Sequence, residues 1–103
     1  MNIESDSKMR VALAKFDMFF PYTHSLKEKR YALRKMKDKI YAQFKISLHE
    51  VAHHDKWQRT TLGLAVVGND ASLLNAIVDK VINRIHDLDL GQVLDSVVEV
   101  IDF

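Results

Sequence analysis

The sequence contains no cysteine, a single proline and only three glycines among 103 residues. Without thiols, disulfide bonds, thiolate zinc sites, iron–sulfur clusters and cysteine nucleophiles are excluded, and a cytosolic protein is the default expectation. The shortage of proline and glycine, together with 48% apolar and 28% charged residues, excludes the disordered and low-complexity classes. We therefore predict one folded domain over residues 9–103, preceded by a short N-terminal extension, residues 1–8.

Long apolar runs are also missing. The chain starts without a basic segment leading into an apolar one, and its apolar stretches are far shorter than a membrane span. These features predict a cytoplasmic protein that makes no use of a membrane.

Charge is abundant but unevenly distributed along the chain. The net charge of +1 hides 13 basic residues against 5 acidic ones over residues 8–59, whereas residues 60–103 carry 2 basic and 7 acidic residues. The basic residues are densest over residues 27–45, where only Glu28 and Asp38 oppose them. Such polarity favours an anionic partner, and the alternative is an ordinary solvated helix face.

Periodicity predicts six elements in the order βαββαβ. Alternating apolar residues indicate strands, and apolar residues at helical spacing indicate helices. Ser25 and Glu28 have the spacing of a capping box at the first helix, and Asn69-Asp70 caps the second. The predicted strands span residues 9–19, 46–53, 60–68 and 93–101, and the predicted helices span residues 25–44 and 70–86. This order predicts an α+β, ferredoxin-like fold with a four-stranded antiparallel sheet, two helices on one face, and strands one and three in the middle.

The face of that sheet without helices is predicted to be apolar. Strand alternation separates two sets of side chains, one facing the helices with Phe16, Leu48 and Val98, and one on the opposite face with Val11, Leu13, Val51, Val97 and Ile101. An apolar face of this extent is more often an interface than bare surface. We therefore expect a homo-oligomer, most simply a dimer through this face.

Two motifs resemble those of the YlxP-like family of small bacterial proteins. The first is HSLKEKR, beginning at His24, and the second combines Trp57, Gln58 and Arg59 with the segment LGLAVV over residues 62–67. The resemblance covers nearly the whole chain from Met9 onward. It implies a ferredoxin-like fold and, because family genes often neighbour those for translation and ribosome maturation factors, a translation-linked role. It implies no reaction, catalytic residue or cofactor.

Lys29 occupies an unusual position in the first helix. On a helical wheel it falls inside the apolar stripe, and Arg30 and Lys37 flank that stripe. One interpretation is that these chains bury their stems and extend their charges to water. The other is an anion pocket formed with His24, Ser25 and the free amides of the helix start. Asp17 lies on the far face, so we expect water or an anion at the Lys29 ammonium.

The sequence gives less support to a metal site, a hydrolase site or a base-stacking site. His49 and His53 are ~13 Å apart along a strand, too far to share one metal ion. Ser25 and His24 are adjacent and Ser25 serves as a cap, which argues against a hydrolase. Trp57 could cover a sheet edge, or it could stack on a base while Arg59 contacts phosphate.

The sequence predicts a binding module for RNA or the ribosome with the first helix as its basic surface. The alternatives are an anion-binding regulatory domain and, third, an enzyme; no cofactor is implied. The candidate contact residues are His24, Ser25, Lys27, Lys29, Arg30, Arg34, Lys35, Lys37, Trp57 and Arg59.

Overall fold

A computed structural model describes residues 8–103 of the chain. Its elements are β1 (Arg10–Phe19), α1 (Leu26–Phe44), β2 (His49–Ala52), β3 (Arg59–Gly68), α2 (Ala71–Leu88) and β4 (Gln92–Asp102). The predicted ferredoxin-like α+β fold is confirmed. The predicted N-terminal extension, apart from Lys8, lies outside the described residues.

The four strands form one antiparallel sheet in the order β2-β3-β1-β4. The central pair, β1 and β3, stays in register from Arg10 opposite Gly68 to Phe19 opposite Arg59. The pairing of β1 with β4 shifts by one residue between Asp17 and Met18. Strands one and three are therefore central, as predicted, and β2 and β4 are the edges.

The core lies between the sheet and the two helices. Alternate residues of β1 and β3 point into it, because successive side chains of a strand face opposite sides. Each helix adds an apolar stripe. The buried side chains include Ala12, Ala14, Phe16 and Met18 of β1, Leu62 and Leu64 of β3, Leu33, Met36 and Ile40 of α1, and Leu74, Val78, Val81 and Ile85 of α2.

The predicted capping box begins α1. The Ser25 hydroxyl accepts a hydrogen bond from the Glu28 amide at 3.1 Å, and the Glu28 carboxylate accepts one from the His24 amide. Asp70 caps α2 by accepting from the amides of Ser72 and Leu73 at 2.9 and 3.2 Å. These contacts satisfy amides that have no partner within the helices.

The second strand differs from the prediction. It begins at His49 rather than at residue 46, although Ile46 and Leu48 are buried. Ile46 and Leu48 face the core and Ser47 between them is exposed, which is the alternation of a strand. This segment does not pair with another strand, so its sequence pattern predicts a longer β2 than the structure has. Neither α1 nor α2 is long and apolar enough to cross a membrane.

Candidate functional site

The two sequence motifs meet beside the first turn of α1. We call this region the loop junction, and define it as residues 20–25 together with residues 53–59. The Phe20 amide donates to the Gln58 carbonyl at 2.8 Å. Thr23 donates from its hydroxyl to the Trp57 carbonyl at 2.7 Å, and its own carbonyl accepts from the Gln58 side chain at 3.2 Å. The two loops are therefore held together by main-chain and side-chain hydrogen bonds.

Lys29 lies buried beneath the loop junction. Its ammonium forms an ion pair with Glu50 at 3.0 Å, and only 1% of the lysine side chain is exposed. It also donates to the carbonyls of His53 at 2.8 Å, Arg59 at 3.2 Å and, at the longer distance of 3.4 Å, His54. Since an ammonium has three donors, these oxygens use all of them.

Glu50 is the acidic partner at the centre of this arrangement. Its carboxylate accepts a hydrogen bond from the Thr60 hydroxyl at 2.6 Å in addition to the Lys29 contact. Burial alone would raise the pKa of Glu50, but the hydrogen bond from Thr60 and the hydrogen bond and charge of Lys29 outweigh it, so the pKa is lowered from its ordinary value of 4.5. Glu50 is therefore held as a carboxylate at neutral pH.

These contacts change the interpretation of Lys29. Its ammonium meets a carboxylate and main-chain carbonyls rather than the water or anion expected from the sequence. Asp17 instead accepts a hydrogen bond from the Thr61 hydroxyl at 2.5 Å on the other face of the sheet. Because its charge and donors are used within the fold, Lys29 has a structural role here, tying α1 to β2 and to the loop that follows it.

The aromatic part of the loop junction reaches solvent. The rings of His24 and Trp57 lie side by side, with centroids 6.3 Å apart and planes tilted by 55°. Trp57 is 46% exposed. Arg59 is half-buried, and its Nε is buried with no hydrogen-bond partner among the described residues. Four of the predicted contact residues, Ser25 included, are thus brought to one end of the molecule.

The remaining predicted contact residues lie along α1. Together with Lys39, and without the buried Lys29, they form what we call the basic face of α1. Lys37 is half-buried, and the side chains exposed to solvent are those of Lys27, Arg30, Arg34, Lys35 and Lys39. Lys39 is four residues beyond Lys35, so it lies one turn further along the same side.

Tyr31, which was not among the residues predicted from the sequence, belongs to the same surface. It is 67% exposed and lines a groove with Arg34, Lys35, Lys39 and the acidic Asp38. The available signal was its position on the helical wheel, because Tyr31 falls far from the apolar stripe that Leu33 and Met36 define. A large aromatic residue among basic ones can bind a base and its phosphate together.

The histidines of the β2 region do not converge on a metal site. His49 is exposed on the sheet face without helices, while a ring nitrogen of His54 lies 3.1 Å from the Glu50 carbonyl. Among residues 8–103, no three histidine, aspartate or glutamate side chains lie close enough together to hold a metal ion.

Comparison with known proteins gives a family and one curated relative. The family model described as "Protein of unknown function (DUF503)" matches residues 11–98. The uncharacterized protein YlxP of Bacillus subtilis (strain 168) is 40% identical over 45 residues, which is 44% of this chain and 49% of that protein. The match thus spans about half the length of the curated relative. Among solved structures, the de novo designed protein Foldit4 aligns over 92% of this chain and 96% of its own, with a TM-score of 0.47 and 12% identity.

Proposed function

Since this chain belongs to the DUF503 family, whose description assigns no activity, we propose its function from its own surface: a cytoplasmic, translation-linked module that binds RNA, free or within the ribosome, through the basic face of α1. The translation link rests on the family resemblance described above. The choice of RNA rests on charge and aromatic exposure.

The observation that carries the proposal is the exposed charge of α1. Six basic residues other than buried Lys29 lie on this helix, against Glu28 and Asp38. Glu28 is occupied by the capping contact with the His24 amide. By contrast, α2 has two basic residues, Lys80 and Arg84, and two acidic ones. The helix layer therefore presents one strongly positive helix beside a neutral one, which suits a polyphosphate backbone.

Aromatic side chains add a means of contacting unpaired bases. Tyr31 lies among the side chains of the basic face, next to Asp38. Trp57 lies beside the start of α1, in contact with Thr23 and His24. Base–aromatic stacking tolerates any sequence because every base has a π-face, whereas lysine and arginine neutralise phosphates. RNA containing unpaired nucleotides is therefore the form of ligand that this surface suits best.

The anion-pocket alternative has less support. It depended on the charge of Lys29 near the amides at the start of α1, and that charge is paired with Glu50. For the enzymatic alternative, the hydrogen bonds of the loop junction join no histidine ring to a carboxylate, which is the contact that an acid–base pair would supply.

Charge reversal on α1 tests the proposal. The double variant Arg34→Glu/Lys35→Glu is compared with Lys8→Glu/Lys80→Glu, which makes the same change in net charge at exposed positions elsewhere. Binding to a fluorescent single-stranded RNA oligonucleotide and to purified ribosomal subunits is measured at several salt concentrations. Losing two phosphate contacts should weaken binding at least tenfold and reduce the salt slope by about 1.4 for a single strand. The control should bind nearly as the wild type does.

Tyr31→Ala tests stacking separately from charge. It should weaken binding to the single strand by about 1–3 kcal/mol while leaving the salt slope unchanged. If the Arg34→Glu/Lys35→Glu variant binds RNA and ribosomal subunits as tightly as the control, the basic face of α1 is an ordinary solvated surface and the proposal is wrong.

A further inference from the structure

The sheet has one face that the helices leave uncovered, which we call the helix-free face. Five large apolar side chains lie exposed on it, and their exposed fractions range from 40 to 61%: Leu13, Val51, Val67, Val97 and Ile101. Val11, also on this face, is half-buried. Lys15, opposite Val97, and Glu99, opposite Leu13, are the exposed charged residues among them. A monomeric protein seldom leaves this many large apolar side chains in water on one face.

The helix-free face has a ridge and a trough. Along β3 the side chains are small, with Thr61, Gly63 and Ala65 in succession, and Leu13 of β1 stands directly opposite Ala65. Larger side chains on the neighbouring strands lie on both sides of these small residues and border an open depression of about 890 Å³, which we call the trough. At Gly63 an added Cβ would lie 3.4 Å from a methyl group of Val51, so the trough is narrow. A ridge of Leu13 and Val97 beside a trough along β3 is a self-complementary shape.

The size of this face matches the need of a dimer. Four strands spaced ~4.8 Å apart and central strands of ten residues give a face roughly 19 Å by 34 Å, less the short length of β2. The projected area is about 550 Å², and side chains make the accessible area larger. A specific interface buries about 800 Å² per partner, so the whole face is of the right order.

The β4 edge of the sheet is less suited to self-association than the helix-free face. The edge strand β4 has 11 residues, three of which are acidic, Asp95, Glu99 and Asp102, and it has no basic residue. Two such edges side by side would repel, and charged residues are a common protection of exposed edges. On the helix-free face the carboxylates of Asp17 and Asp95 lie opposite each other near the loop junction. Leu13, Val67 and Ile101 lie toward the other end of the face, where Glu99 is the acidic residue beside them. This end, with more apolar side chains and one carboxylate, is where two copies can overlap.

We propose that a second copy of this chain covers the helix-free face. The two sheets pack face to face about a two-fold axis, and the Leu13–Val97 ridge of each copy enters the trough beside Ala65 of the other. Because a two-fold contact uses the same surface on both copies, the ridge and trough of one chain are sufficient to build it. The basic face of α1 then stays on the outside of the dimer, so this proposal is independent of the one for RNA.

The first test measures mass. Sedimentation equilibrium or light scattering should give twice the 11.9 kDa of the chain at micromolar concentration. Leu13→Asp places a carboxylate in the interface of each copy and should raise the dissociation constant at least tenfold. Leu73→Asp is the matched control, because Leu73 is 62% exposed on α2, on the other side of the molecule; it should leave the mass unchanged.

The second test keeps the interface apolar, so it does not depend on the stability of the charged variant. The chain has no cysteine, and therefore one substitution gives one thiol. Protein with Leu13→Cys is mixed with protein with Ala65→Cys and oxidised. The mixed disulfide should form at least tenfold faster than in a mixture of Leu73→Cys with Ala65→Cys.

A monomer at all concentrations up to the millimolar range would overturn the proposal, and would leave the face to a different partner. A dimer that Leu13→Asp does not weaken, or equal oxidation rates in the two mixtures, would equally overturn it, because the copies would then meet elsewhere.

Discussion

Replacing Lys29 with methionine should destabilise the protein strongly, although the two side chains are similar in length and the site is apolar on one side. Lys29→Met removes the cation that faces Glu50 and the donor for the carbonyls of His53 and Arg59. The Glu50 carboxylate, whose side chain is 14% exposed, then stays buried with one remaining hydrogen bond, from Thr60.

The magnitude follows from those contacts. Removing one partner of a buried ion pair costs about 3–5 kcal/mol, because the other charge is left uncompensated. Glu50 keeps some contact with solvent and its hydrogen bond from Thr60, so the lower end, ~3 kcal/mol, applies. At a urea m-value of about 1–3 kcal/mol per molar, the unfolding midpoint should fall by roughly 1–3 M. Lys27→Met, an exposed position two residues earlier on α1, should cost less than about 0.5 kcal/mol.

A double-mutant cycle separates the ion pair from packing. Lys29→Met/Glu50→Met removes both charges, and it should be more stable than Lys29→Met alone by at least about 1 kcal/mol. The measurement is urea unfolding at pH 7, followed by circular dichroism. A cost below about 1 kcal/mol for Lys29→Met, or no coupling between positions 29 and 50, would refute the reasoning.

The pH dependence gives a further check on the same pair. The pKa of Glu50 is lowered in the folded protein, so its contribution to stability is present above the ordinary value of 4.5 and is lost as the pH falls through the folded pKa. The stability difference between wild type and Lys29→Met should therefore be full at pH 7. It should shrink as the pH falls from the pKa of Glu50 in the variant, where Lys29 no longer offsets burial, to the lowered pKa in the wild type. A difference that stays constant down to pH 3 would mean that the lysine acts through packing alone.

Two smaller perturbations test the local structure around α1 and β4 by urea unfolding. Ser25→Ala removes the acceptor for the Glu28 amide and should cost ~1 kcal/mol, whereas Ser25→Asp, which keeps an acceptor at the helix start, should restore most of it; equal stability of both variants would contradict the capping role. Gly91→Ala should cost ~2 kcal/mol, because its Cβ would lie 2.8 Å from the ring of buried Phe20. Gly63→Ala, with its nearest contact at 3.4 Å, should cost less, and the opposite order would show that the Phe20 ring yields easily.

The alternation of apolar and polar side chains predicted the strands correctly because it depends only on residues that are close together in the sequence. The side chains of β1 face alternately the core and the helix-free face, as Phe16 and Leu13 illustrate, and this pattern alone fixes the orientation of the strand. The same pattern overextended β2. Ile46 and Leu48 are buried without ladder partners, and burial without pairing leaves no separate trace in a sequence.

Val98 shows a different limit of the sequence pattern. It lies on the face predicted for it, opposite Ala14, yet it is 37% exposed. Side-chain alternation gives the direction of a residue, but the extent of cover depends on where the helices sit above the sheet. A side chain of an edge strand can therefore face the helices, as predicted, and still be partly exposed to solvent.

The partner of Lys29 was within reach of sequence analysis. Glu50 has the same parity as Leu48 in the second strand, which places an acidic residue toward the core, and Lys29 places a basic residue toward the core from α1. Two opposite charges at core-facing positions suggest an ion pair. The carbonyls of the loop after β2 could not be predicted, because their direction depends on the loop path, including the left-handed backbone of His53 at φ 64°.

The Lys29–Glu50 contact also constrains how this sequence can change over time. Replacing either residue alone leaves the other as an uncompensated charge inside the protein. Replacing both with apolar residues removes both charges and avoids that cost. Homologous chains should therefore carry either a base at position 29 with an acid at position 50, or an uncharged pair, and intermediate combinations should be scarce. Thr60, which donates to the same carboxylate, should vary with them. An alignment of many relatives would then show three positions far apart in sequence changing as a group.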